Sequence, residues 1–131
     1  MKIMDNLRVT LEFLEDEKII HHQIHAPVPD DELKEMLTRG CEVFEARGAR
    51  KWLSDDRKNG PVSPEIERWG QEVWNRRMVA AGWKYWALVI PEEALKQANA
   101  MKAIIFNLSK LGVTLRLFSD SDTAMAWLKE Q

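Results

Sequence analysis

Carboxylates stand in pairs where three apolar runs end: Asp55 and Asp56, Glu92 and Glu93, and Asp120 with Asp122. Gathered at one rim they could hold a hard, oxygen-seeking cation such as magnesium. Each pair also lies at a helix start, where the helix dipole alone favours negative charge. The pattern therefore defines no metal site, and neither metal nor cofactor is expected. His21, His22 and His25 resemble a ligand cluster on paper. In a strand, however, His21 and His22 point to opposite faces, and His21 to His25 spans about 13 Å. Solvation along an edge strand accounts for all three. Cys41 falls on the apolar face of a helical segment with no histidine near it in sequence, which describes a buried structural thiol. Ser54 and Ser63 lack a Gly-x-Ser-x-Gly elbow, and Gly60, followed by Pro61, makes no phosphate-binding loop. Hydrolase and nucleotide chemistry have no support, and the chain is expected not to be an enzyme.

Six tryptophans are the other chemical signal. Trp52 and Trp86 fall on central strands and Trp127 on the last helix, where core packing explains them. Trp69 and Trp74 are five positions apart and cannot face the same way on one α-helix. Trp83 opens a strand. A ring that buries so much area needs a partner: the core, an apolar ligand or another subunit. Arg76 and Arg77, beside Trp74, could hold an acidic group or simply be a solvated helix end.

The elements that position these residues are marked by glycine. Gly48, Gly82 and Gly112 each close a helical pattern and precede a short apolar run. Helix, glycine cap, buried strand and acidic turn together make the repeating unit of a parallel α/β sheet. Residues 7–14 alternate apolar and polar and, with 18–25, form a hairpin whose first strand is a sheet edge. After the Ala26-Pro27-Val28-Pro29 linker, Asp30 caps a helix to Arg47 with Leu33, Met36, Leu37, Cys41 and Phe44 on one face. Further strands run over 51–54, 84–90 and 113–118. Ser63-Pro64-Glu65 starts a second helix to Ala81, with Ile66, Trp69, Val73 and Arg77 along one stripe. Pro91-Glu92-Glu93 opens a third helical region, restarted by a cap at Asn99 and carrying Met101, Ile104, Ile105, Leu108 and Leu111. Asp120 or Ser119 caps the last helix. The fold class is α/β: one domain over residues 1–131, with a single five-stranded, mostly parallel sheet, an antiparallel edge strand and the order β-β-α-β-α-β-α-β-α.

Composition narrows the function classes. Hydrophobic residues make 45% and charged residues 31% of the chain, and the formal net charge is −2. No basic tract offers counterion release to a nucleic acid, so nucleic-acid binding is not expected. Residues 1–20 lack a signal peptide's apolar stretch and no run reaches membrane-span length, which together point to a cytoplasmic protein of bacterial type. One cysteine excludes an internal disulfide.

Three blocks carry a resemblance to a known family: Gly48 to Arg57 (GARKWLSDDR), Ala81 to Ala87 (AGWKYWA) and Ala124 to Leu128 (AMAWL). They resemble the STAS superfamily of bacterial anti-sigma-factor antagonists, and within it a branch of small stand-alone proteins related to both STAS and lipid-transfer domains. The resemblance implies a regulatory domain. In the antagonists a phosphorylatable serine follows the third strand in an Asp-Ser-Ser-Gly pattern. This sequence departs from it, with Asp55-Asp56-Arg57-Lys58-Asn59-Gly60 and the nearest hydroxyls at Ser54 and Ser63. Those two serines are the candidate phospho-switch, and Ser63 doubles as an ordinary helix cap.

Two readings follow. One is a non-enzymatic regulatory or protein-interaction domain, meeting a protein partner or a second copy through the 55–63 loop and the second helix, with Asp55, Asp56, Arg57, Trp69, Trp74, Arg77 and Trp83 as the candidate surface. The other is a small apolar-ligand or lipid-binding domain with a pocket lined by Trp69, Trp74, Trp83 and Met78.

Overall fold

Six strands lie side by side in chain order in one mixed sheet of the computed structural model, which describes residues 1–131. β1 (Lys2–Asp5), β2 (Val9–Leu14) and β3 (Ile19–Ile24) form an antiparallel meander. β4 (Lys51–Asp55), β5 (Tyr85–Val89) and β6 (Thr114–Phe118) continue parallel to β3. The five-stranded expectation is one strand short. β1 is four residues long, with an irregularity between Lys2 and Met4, too brief for an alternation to register. It moves the edge: β2 is paired on both sides, and the Met1 ammonium donates to the Phe13 carbonyl at 2.9 Å.

Sequential strand order with right-handed crossovers places the connecting helices on one face. α1 (Asp30–Arg47) links β3 to β4 and buries Leu33, Met36, Cys41 and Phe44. It ends at Gly48, whose φ of 63° is a left-handed conformation that other residues resist. The helix starts after Pro29 with no side-chain cap; the Asp30 carboxylate, expected to be the cap, instead accepts the Ser63 hydroxyl at 2.8 Å.

β4 and β5 are linked by a continuous helical stretch in three parts: α2 (Pro64–Trp69), a π-helical turn (Gly70–Trp74) and α3 (Asn75–Ala80). Ser63 caps it, accepting from the Ile66 N–H at 3.1 Å. In the π turn the Asn75 N–H bonds the Gly70 carbonyl, five residues back. The wider turn shifts the helix phase by about one residue. The expected stripe therefore breaks: Val73 is 53% exposed and Arg77 also turns outward, while Trp74 and Met78 take the inner positions. Five residues is also the repeat of a π turn, so Trp69 and Trp74 both reach the same core.

α4 (Glu92–Leu95), a 3-10 turn (Ala98–Met101) and α5 (Lys102–Lys110) lead to β6. Asn99 lies inside that turn rather than capping a helix, and Leu111 is 54% exposed, outside the buried stripe. α6 (Ser121–Lys129) is capped by Asp120, which accepts from the Asp122 and Thr123 N–H groups. It packs on the opposite face, setting Ala124 and Leu128 against Ile19, Leu53 and Ala87.

Candidate functional site

Alternation along β3 and β4 decides which polar groups face the larger core. Ile20, His22 and Ile24 share a face with Trp52 and Ser54; His21 and Asp55 point to the other. His22 is 3% exposed on an interior strand, so edge solvation does not describe it. Trp52 Nε1 donates to His22 Nδ1 at 3.0 Å, and His22 Nε2 lies 2.6 Å from Asp56 Oδ1. An indole N–H can only donate, so Nδ1 is the acceptor and Nε2 carries the proton that goes to Asp56. Both ring nitrogens are engaged, and Asp56 is held at the end of a relay that begins in the core.

Trp52 itself is fixed by its surroundings. It lies 5.1 Å from Trp74, ring centre to ring centre and nearly perpendicular, and Trp74 lies 5.3 Å from Trp83. A Cβ added to Gly40 on α1 would sit 2.4 Å from the Trp52 ring, so only glycine lets the helix pass so close. Trp74 Nε1 donates to the Leu37 carbonyl at 2.8 Å, tying the π turn to α1.

Between these parts lies a half-open cleft of about 180 Å³. His22, Ser54 and Trp86 form its floor, toward the carboxyl ends of β3 and β4, where open α/β sheets bind ligands. Leu33 and Leu37 of α1 make one wall and Ile66, Gly70 and Trp74 the other. Asp56, Asn59 and Val62 stand on the loop side. Ser54 is 2% exposed; its Oγ accepts from Trp86 Nε1 at 2.9 Å, and its own proton has no acceptor within the protein.

The residues singled out in the sequence divide between this cleft and other places. Asp56 and Trp74 line it, whereas Met78 and Trp83 are fully buried behind it. Trp69 is half-buried under the Lys34 ammonium, 5.7 Å from its ring centre. Arg77 is turned away and binds Glu45 with two hydrogen bonds, of 3.0 and 2.8 Å, holding the Glu45 carboxyl below its usual range. Asp55 faces α6 and takes Arg57 Nε at 2.9 Å, Arg57 Nη2 at 2.7 Å and the Ser121 hydroxyl at 2.7 Å. Burial pushes the Asp55 carboxyl up, but the hydrogen bonds from Arg57 and Ser121 outweigh it and leave the group below its ordinary value. Asp55 and Arg57 thus clamp α6 to the sheet. Ser63 is occupied twice, as donor to Asp30 and as cap. Burial pushes the Cys41 thiol up to about 11, so it stays protonated at neutral pH.

No grouping of three or more His, Cys, Asp or Glu side chains could hold a metal ion. Asp55, Asp56 and Asp120 take separate partners: Arg57, His22 and the N–H groups of α6. No family model, curated protein or solved structure matches this chain. No helix is long and apolar enough to cross a membrane.

His22 is the residue that the expectation of edge-strand solvation misplaced. The signal was its phase, two positions from Ile20 and two from Ile24 on the buried face of β3.

Proposed function

We propose that this protein is a non-catalytic binding domain for a small, ring-sized molecule, held in the cleft between α1, the π turn and the floor of β3 and β4. One observation carries the reading: an apolar cleft of about 180 Å³ with a buried hydroxyl, Ser54, whose proton lacks an acceptor. An apolar cavity of roughly 150 Å³ takes up one benzene, so this volume suits a single ring or a short branched chain. It is too small for a lipid with long acyl chains, which narrows the apolar-ligand expectation. Catalysis finds no support in the same groups. Ser54 meets Trp86 rather than a base, and His22 has no free nitrogen.

Binding is read at the Trp86 indole N–H, which donates to Ser54 on the cleft floor. Single-ring probes should shift this signal in nitrogen–proton NMR spectra while the Trp127 signal stays still. Gly70 lines the cleft, has helical φ and ψ, and a Cβ there meets open space. Gly70→Leu should therefore fold at least as stably as wild type, gaining about 1 kcal/mol of helix propensity, and lose the probe response by narrowing the cleft. A Trp86 signal indifferent to every single-ring probe would overturn the reading.

A protein-contact role is a second reading, favoured by Val62 and Val73, exposed at 43% and 53% on the loop and helix beside the cleft. Kinship with the STAS superfamily belongs here too, supported by the three sequence blocks and by the parallel β–α units that follow Gly48, Gly82 and Gly112.

A further inference from the structure

Charge around the cleft is one-sided. Asp56 and Glu67 are its only acidic lining groups, and neither lysine nor arginine lines it. Of the basic residues nearby in sequence, three are engaged elsewhere, Arg57 with Asp55 and Ser121, Arg77 with Glu45, and Lys34 over Trp69, and Lys58, Arg68 and Arg76 do not line the cleft. Asp56 is also oriented. Its Oδ1 takes the His22 Nε2–H at 2.6 Å and its backbone N–H donates to the Val89 carbonyl at 3.0 Å. Its second oxygen has no donor within the protein, and its side chain is 34% exposed. Two indole rings, of Trp74 and Trp86, line the same space and favour a cation over an anion.

Resting on the cleft reading, we infer that the ligand is a small organic cation: a primary or secondary amine on a ring-sized apolar body, its ammonium donating to the free oxygen of Asp56. Carboxylates and phosphates of the same size are rejected, because a buried or half-buried anion here would meet Asp56 and Glu67 with no counter-charge. His22 is a positioning residue in this scheme. It spends one nitrogen on Trp52 and the other on Asp56, so the carboxylate keeps one orientation without ligand.

The test compares three probes that share one ring, benzylamine, benzyl alcohol and benzoate, titrated while following the Trp86 indole N–H. Benzylamine should bind about tenfold to a hundredfold more tightly than benzyl alcohol, the ratio a charge-assisted hydrogen bond supplies, and benzoate should be weakest. Asp56→Asn keeps an acceptor oxygen for His22 and should erase the amine's advantage over benzyl alcohol. The wild-type protein gives an independent readout: added salt should weaken benzylamine and not the alcohol. Glu67→Gln, on an exposed helix position, should cost part of the same advantage. Equal affinity for amine and alcohol, or a preference for benzoate, overturns the cation inference and leaves the cleft reading standing. Failure of all three probes to bind overturns both.

Discussion

At the scale of single residues, the strongest constraint is that an indole N–H has no second role. Trp52 can only donate, which forces His22 Nδ1 to accept and places the imidazole proton on Nε2, facing Asp56. Trp52→Phe keeps an aromatic ring against Phe44 and Trp74 but removes the donor. His22 Nδ1 is then left buried without a partner, at a cost of about 1–3 kcal/mol, to which the lost ring volume adds. Nitrogen NMR of the imidazole reads the consequence directly. The wild-type ring should show a single tautomer with the proton on Nε2, and the variant should keep it, because Asp56 still accepts that proton, while its Nδ1 signal shifts with the loss of the Trp52 donor. A wild-type ring protonated on Nδ1 would sink the relay. The Cβ direction of His22 was legible, since Ile20, His22 and Ile24 alternate in phase. Its partners were not. Trp52 lies 30 residues away and Asp56 lies 34 away, one position past the end of β4, where alternation no longer fixes direction.

At the scale of elements, the π turn does two jobs: it rotates Trp74 and Met78 into the core and it supplies Gly70 to the cleft wall. A π turn is one residue more than an α-helix needs. Deleting Gln71 should restore regular α geometry, because Ile66, Gly70, Trp74 and Met78 then fall at α-helical spacings of four, three and four. The shortened protein should fold with unchanged or higher melting temperature, keep Trp74 buried as judged by slow exchange of its indole N–H, which donates to the Leu37 carbonyl, and lose the Trp86 response to ring probes. Retained binding would show that the π turn is incidental to the cleft. Elements built on strong local chemistry were legible from the sequence, as the glycine-capped helices and the Asp120 and Ser63 caps illustrate. β1 was not, because its four residues are a strand only through pairing with β2. Nor was the π turn: Ile66, Trp69, Val73 and Arg77 satisfy an α-helical period, and only the tertiary preference for burying Trp74 over Val73 selects the other phase.

At the scale of the whole molecule, the two sheet faces are covered unequally. Three crossovers place helices on one face, while the other has only α6, which packs on β4, β5 and β6. The back of β2 and β3 is left with Thr10, Glu12, His21 and Gln23, half-buried and polar. His21 is the costly member. Its Nε2 is buried without a hydrogen-bond partner, and Glu12 stands 4.0 Å from its Nδ1, too far for a hydrogen bond. Burial, with the neighbouring His22, holds the His21 imidazole below its ordinary value, against weaker opposing pulls from Glu12 and Asp55. The folded protein therefore binds this proton less readily than the unfolded chain does. As pH falls through about 6.5, where an unperturbed imidazole takes up its proton, the unfolded state gains protons first and stability declines. The carboxylates held below their usual range, Asp55 among them, act only at lower pH. Denaturant unfolding followed from pH 7.5 to 5 should thus show a loss of stability approaching pH 5, with a slope of up to about 1.4 kcal/mol per pH unit for one proton. His21→Gln, which fits the same half-buried position without a titrating ring, should flatten that slope. A wild-type stability that holds level or rises toward pH 5, or a slope unchanged in the variant, would remove His21 as its source.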